Sequence, residues 1–292
     1  MVEEARRLLA ETSCAAVLWI DGLFGDDRDL ATARGTSGRI GFVARYSQFG
    51  GIDPDGRVGL QYELPNLERR IRMFLDRADP RETVEDRGGR FSSVRSSFPP
   101  PDAPERWVAG LGVAPPGRWR DRADFRAGVR PSASPSIFAQ ARVRQLVSTG
   151  DWSEWRFRQS GFWESRAGFG VTAGAEYGRL LTPAHFLHWT LMGTVSEASE
   201  GVEWRGDASL HRKFSPTHTL GGQLFGRGAT SAAVPFQEIG FQAIYRRPLG
   251  HPTLIGEFVV GYSWPREDPE VPRRGSAIVG LGLELHFGRH SP

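Results

Sequence analysis

From Gly38 to the end of the chain, apolar and polar side chains alternate with a period of two. A strand points successive side chains to opposite faces, so an apolar set at every second position marks one buried or lipid-facing side. The last segment shows this best: Ala277, Val279, Leu281, Leu283, Leu285 and Phe287 share one face, and Ser276, Ile278, Gly280, Gly282, Glu284 and His286 share the other. The same alternation recurs upstream. Phe258, Val260 and Tyr262 oppose Glu257 and Ser263, and Ile239, Phe241 and Tyr245 oppose Gln242 and Arg246. Leu220 and Leu224 oppose Gln223, and Trp204 and Leu210 oppose Glu203, Arg205 and Asp207. Leu187, Trp189 and Leu191 oppose His188 and Thr190, and Val171 and Tyr177 oppose Thr172 and Glu176. Trp155 and Phe157 oppose Glu154, Arg156 and Arg158; Ile137, Ala139 and Val143 oppose Gln140, Arg142 and Arg144; Phe125 and Val129 oppose Arg126. Near the start, Ile40, Phe42 and Tyr46 oppose Arg39 and Arg45, and Val58, Leu60 and Tyr62 oppose Gln61 and Glu63.

Two less regular segments, Arg70–Asp76 and Trp107–Val113, bring the count to about 14 strands, with 12 as the alternative without them. Each strand is about ten residues, the length a tilted strand needs to cross a bilayer core. The reading is an all-β, transmembrane, antiparallel up-and-down barrel over 36–288, preceded by a helical segment over 1–35 and followed by a tail over 289–292. The helix rests on residues 2–24, where Leu8 and Leu9 recur at helical spacing among Glu3, Glu4, Arg6 and Arg7. It is expected on the periplasmic side, open to a periplasmic partner, with a lumenal plug as the alternative. Tight turns are expected at Leu64-Pro65-Asn66, Thr182-Pro183-Ala184 and Pro248–Pro252. Longer links are expected at Ala229–Gln237 and Pro265–Gly275, and the longest, Arg77–Arg106, is expected to be mobile.

Alternation alone also fits a soluble sandwich. Three features separate the two. The polar phase carries Arg and Glu on strand after strand, so that face is wet or salt-bridged. The tyrosines Tyr46, Tyr62, Tyr177, Tyr245 and Tyr262 fall on the apolar phase near strand ends, with Trp155 and Trp204, as an aromatic girdle requires. The chain also closes on an apolar-alternating strand ending at Phe287, which can pair with the first strand and serve the barrel-assembly machinery.

Composition changes this picture little. The mean hydropathy of −0.38 suits a barrel, whose strands show lipid only every second residue. The 37 basic residues, all Arg except Lys213, nearly balance 34 acidic ones, and no basic run is interleaved with stacking aromatics, so no nucleic-acid surface is indicated. The one cysteine, Cys14, allows no intrachain disulfide and follows no apolar run of the kind lipidation needs. The N-terminal residues lack the basic, apolar and small-residue succession of a signal peptide, so the export signal of a bacterial outer-membrane protein is expected to precede or to have been removed from this chain.

Candidate chemistry is sparse. No Cys/His cluster and no glycine-rich phosphate loop occurs, so no metal or other cofactor is expected and no catalytic residue is assigned. Ser209 and His211 share the polar phase with Asp207, which reads as lumenal packing in preference to a lipid-acting hydrolase. The strongest functional lead is the charge of the lumen. Arg126, Arg142, Arg144, Arg156, Arg158, Arg205 and Arg246 read as inward, as do Glu154, Glu176, Glu203, Glu257 and Glu284. Arginines that keep their charge toward an aqueous passage would favour anions; arginines that pair with Glu across strands would fill the lumen.

Several blocks carry a resemblance: Trp19–Asp26, Leu64-Pro65-Asn66, Gln159–Trp163 followed by Gly168-Phe169-Gly170, Gly261–Glu267 and Gly280–Gly288. In this order the chain resembles a group of proteobacterial outer-membrane barrel proteins to which no activity is attached. The resemblance implies the barrel and an outer-membrane location, with outer-membrane lipid as its surroundings, and transfers no catalytic residue. Beside the resemblance, the lumen charges make a passive pore for small, anionic solutes the leading reading, with a structural or partner-binding barrel of the envelope as the alternative. The chain departs from the barrel pattern at its end, where Gly288–Pro292 follow the terminal aromatic.

Overall fold

The computed structural model describes residues 36–48, 51–63, 71–78, 83–86, 106–115, 122–131, 135–150, 152–199, 201–215 and 218–287. The expected helix over 2–24 and the tail over 289–292 lie outside the described residues.

The described chain forms fourteen antiparallel strands in one closed barrel. They are β1 (Thr36–Ser47), β2 (Gly51–Glu63), β3 (Ile71–Ala78), β4 (Arg106–Val113), β5 (Ala123–Arg130), β6 (Ser136–Ser148) and β7 (Ser153–Glu164). The second half comprises β8 (Gly168–Thr182), β9 (His185–Ser196), β10 (Glu203–Ser215), β11 (His218–Ala229), β12 (Phe236–Leu249), β13 (His251–Pro265) and β14 (Ser276–Phe287). Every strand pairs with its sequence neighbours, and β14 returns to β1 in a continuous register from Gly38↔Phe287 to Ser47↔Ile278. Both segments with weak alternation are strands, β3 and β4, so fourteen and not twelve is the number.

β2 begins earlier than its apolar pattern. Gly51–Arg57 holds glycines, Pro54 and two aspartates and has no alternation, yet it pairs with β1 from Ser47↔Gly51 through Gly41↔Arg57. Pairing with a neighbour overrides local propensity there.

The distribution of side chains is that of a soluble protein turned inside out. Ile40, Phe42, Leu224, Phe241 and Leu281 are exposed, while Arg142, His188, Ser209, Glu257 and Glu284 are buried. Water would penalise the first set and an apolar core the second. A bilayer outside and a polar interior suit both.

The aromatics gather at the two ends. At one end stand Trp155, Tyr177 and Trp189, with the Trp155–Tyr177 ring centroids 4.9 Å apart and Trp155–Trp189 6.0 Å apart. Tyr245 lies at the same end, its hydroxyl 2.9 Å from Nδ1 of His218. At the other end Trp204 meets Phe236 at 5.0 Å, Tyr262 meets Trp264 at 5.1 Å and Trp163 meets Phe169 at 6.4 Å. Tyr46 is exposed near the end of β1 on that side, and Tyr62 falls at the end of β2 on the first. From Trp155 to Trp163 along β7 is about 27 Å at about 3.4 Å per residue, or about 21 Å along the axis at a tilt of about 40°. That spacing matches an apolar band.

The connections differ between the ends in the same sense. β8–β9 turns through Pro183-Ala184, and β12–β13 through Gly250 alone, whose φ of +74° is one that L side chains rarely adopt. Longer links, including 79–105 and 266–275, lie at the opposite end.

Leu224, at the middle of β11 and 64% exposed, tests the lipid-facing assignment. Leu224→Arg is expected to lower unfolding stability in a lipid bilayer by about 2–4 kcal/mol, read by denaturant titration of the refolded barrel. A neutral or stabilising effect would refute an outward lipid face.

Candidate functional site

The inward phase of β5, β6 and β7 places arginines on adjacent strands. Arg126 stands on β5, Arg142 and Arg144 on β6, and Arg158 on β7, with Arg144 in register with Arg158. Asp124, two positions before Arg126 on the same face, is the fixed partner of Arg126 and Arg142. Arg142 grips it with both prongs of its fork, Nε to Oδ1 at 2.7 Å and Nη2 to Oδ2 at 2.8 Å, and Arg126 Nε reaches Oδ2 at 2.9 Å. Two parallel charge-assisted bonds fix the guanidinium plane.

The second partner comes from outside the sheet. Residues 83–86, part of the β3–β4 link, lie inside the barrel. Asp86 Oδ1 accepts from Arg158 Nη1 at 2.9 Å and from Arg142 Nη1 at 3.2 Å. The backbone of the segment is held as well. Gln140 donates to the Val84 carbonyl at 2.9 Å, and Thr172 donates to the Glu85 carbonyl at 2.5 Å. Val84 joins an apolar cluster with Phe74, Val108, Phe138 and Phe162, all on the inner face. The expectation of a mobile link is corrected for these four residues: carbonyl acceptors, an apolar anchor and an ion pair together seat them in the lumen.

Asp86 has φ 55°, unusual for a residue with a side chain. Such a conformation costs on the order of 1–3 kcal/mol and persists where surrounding contacts over-determine it. Those contacts include the two arginines on its carboxylate and the Gln140 and Thr172 side chains on the carbonyls just before it. Burial pushes the Asp86 carboxyl up, but Arg158, Arg142, Arg144 and Arg126 outweigh it and hold it below the ordinary value of 3.8.

The remaining lumenal charges form separate groups. Arg156 is paired with Glu154 on its own strand, Nε to Oε1 at 2.8 Å, and is in register with Glu176. Glu176 Oε2 is 3.9 Å from His188 Nε2. Arg246 on β12 spans two carboxylates, Glu257 at 3.1 Å and Glu284 at 3.4 Å, and so ties β12 to β13 and β14. Arg205 and Glu203 stand on β10 toward the longer-link end, Arg205 in register with Arg227, which bonds Glu238 at 2.9 Å. The arginines named from the alternation therefore fall into a cluster of four, a pair of Arg156 with Glu154, a triad of Arg246 with Glu257 and Glu284, and Arg205 apart.

The Ser209–His211 pair is real as geometry: Ser209 Oγ lies 3.0 Å from His211 Nε2, both buried on the inner face. The far nitrogen, Nδ1, lies over Gly221, where an added Cβ would stand 2.2 Å away. The orienting position of a catalytic histidine thus faces a glycine. Among the described residues, no group of three or more His, Cys, Asp or Glu could hold a metal ion.

Sequence reasoning missed Asp86, Asp124, Gln140 and Thr172 as partners of the cluster. Asp124 was visible in principle, since it shares the inward phase with Arg126. No periodic signal marks Asp86.

Fold and interior define a membrane-spanning β-barrel with a charged, partly occupied lumen. No family model matches the sequence, and no curated protein matches it. Among solved structures the chain is similar to the KdgM porin, at 8% identity and a TM-score of 0.42, over 85% of this chain and 99% of that one. It is similar to the CymD monoaromatic hydrocarbon channel at 6% identity and a TM-score of 0.46, over 93% and 94%. It is similar to the outer membrane protein OpdK from Pseudomonas aeruginosa at 9% identity and a TM-score of 0.48, over 86% and 98%.

The lowered pKa of Asp86 sets a sign. Its ion pairs stabilise the fold fully above the ordinary value of 3.8 and are lost as pH falls through the lower folded value. The native chain is expected to melt above an Asp86→Asn variant at neutral pH, with the gap closing in strong acid. A gap independent of pH would refute the ion-pair role. A second variant tests the packing over β11: Gly221→Ala is expected to cost about 1–3 kcal/mol by forcing the His211 ring aside, and Gly221→Ala with His211→Ala to recover part of it, both read by denaturant titration.

Proposed function

We propose that this chain is a passive pore of a bacterial outer membrane that passes small solutes and prefers anions. The observation that carries the reading is the arginine cluster on the inner face of β5–β7, which already receives carboxylates from two different parts of the chain. Guanidinium groups held in a confined lumen create a positive potential that concentrates anions and repels cations. The outward apolar band and the aromatic belts support a lipid setting. The common end of the start of β1, the end of β14 and the shortest turns supports a periplasmic placement of that end. β14, closing on Phe287, is the strand we assign to recognition by the barrel-assembly machinery.

A second reading, a structural or partner-binding barrel, draws support from residues 83–86, because a seated segment takes up lumen that a wide pore would leave open. Conductance separates the two. Reconstituted in planar bilayers, the chain is expected to show discrete channel steps and, in a salt gradient, a reversal potential favouring chloride over potassium. Arg144→Gln with Arg156→Gln is expected to reduce that preference by about two-fold or more. Absence of channel activity, or cation preference, would overturn the pore reading.

A further inference from the structure

We propose that the fork of Arg142 and Arg158 is a carboxylate-binding site of the lumen, and that Asp86 fills it as a tethered stand-in for a solute carboxylate. The proposal rests on reading the lumen as a passage and names the chemistry that the passage selects.

Three observations carry it. First, the two carboxylates around Arg142 are held differently. Asp124 is fixed on β5, in register with Arg142, and takes Nε and Nη2. Asp86 is no part of the barrel ladder and takes Nη1 of Arg142 together with Nη1 of Arg158. Asp124 therefore orients the guanidinium, and the remaining edge, with Arg158 opposite, forms a cradle for one more carboxylate. Second, Asp86 uses only part of that carboxylate chemistry. Both arginines converge on Oδ1, and the buried Oδ2 has no hydrogen-bond partner among the described residues. A small carboxylate freed from the backbone could present both oxygens to the two arginines. Third, Asp86 reaches the cradle at a φ of 55°, an uncommon conformation for a residue with a side chain, and the two arginines hold it there together with Gln140 and Thr172 on the carbonyls just before it. A site that draws a strained residue into itself has the charge and geometry to hold an unstrained equivalent.

The ligand class is a small carboxylate. Planar bidentate recognition suits guanidinium and carboxylate, and chloride, a single spherical acceptor, cannot offer two oxygens to two arginines.

Acetate and formate serve as probes on the refolded full chain. In the Asp86→Ala variant, thermal melting should rise with acetate or formate by several degrees more than with sodium chloride at equal ionic strength. The half-maximal acetate concentration should be at least ten-fold lower than for the native chain, whose cradle is occupied. Adding Arg158→Gln to Asp86→Ala should abolish the acetate-specific shift. Arg158→Lys keeps the charge without the fork, so it should retain less than a third of the shift. Because Arg142 carries the contacts to Asp124, Arg158 is the position varied. Equal shifts with acetate and chloride, or an acetate shift that survives Arg158→Gln, would overturn the proposal. Melting is independent of current. A chain that binds acetate in this way but never conducts defeats the pore and keeps the cradle; a chain that conducts without any acetate-specific shift keeps the pore and defeats the cradle.

Discussion

In a hydrocarbon environment a strand cannot leave one edge unpaired, because each unmet N–H or C=O costs several kcal/mol with no water to take its place. The pairing of β1 with β14 is thus the contact on which this molecule depends. It demands an even number of strands, since an antiparallel ring of alternating neighbours closes only then. It brings the first strand's start and the last strand's end to one side of the barrel. It also fixes the direction of every side chain at once: with the register continuous from Gly38↔Phe287 to Ser47↔Ile278, a slip by one residue would turn Leu281 and Leu283 inward and Glu284 toward lipid.

Closure with so many strands raises a second problem. Eight strands enclose about as much space as their own side chains fill. Fourteen strands about 4.8 Å apart, tilted at about 40°, make a ring about 28 Å across. Around β3–β8 the chain meets this with residues 83–86. Val84 extends the inward cluster of Phe74, Val108, Phe138 and Phe162, and Asp86 answers the arginines beside it. Across the barrel no inward link is needed for the charges to find partners, because Arg246 reaches Glu257 and Glu284 along the wall itself.

What could be read in advance follows from this division. Strand phase was legible because lipid and lumen make opposite demands on alternate residues, and even the irregular β3 and β4 keep Met73 and Leu111 outward. The first half of β2 was not legible, since Gly51–Arg57 carries no apolar phase and is strand only because β1 lies beside it. Inward arginines were visible one strand at a time. Their grouping was not, because it depends on register: Arg144 faces Arg158 and Arg142 faces Asp124 only once β5, β6 and β7 are aligned. Phe74, Phe138 and Phe162 were hidden for a related reason. They occupy the polar phase, where an apolar residue reads as noise until a segment such as Val84 arrives to cover it. Asp86 lies in a link without period, and its partners sit on strands more than fifty residues away in the chain.

The arginine cluster shows why position on the wall and position on a link have different consequences. An aspartate on a strand is held by the ladder on both sides, so Asp124 can act only as a permanent orienting partner for Arg142 and Arg126. An aspartate on an inward link is held by what it touches. For Asp86 that means two guanidinium contacts, with Gln140 and Thr172 gripping the carbonyls just before it. Its backbone sits in the left-handed region, and moving away would relieve that conformation while breaking one bond to each of the two arginines. The two effects oppose each other, and a diffusible carboxylate changes the balance because it covers the charges without the strain. A lumen built this way responds to the chemistry of what enters it, which a wall of fully strand-paired charges would not do.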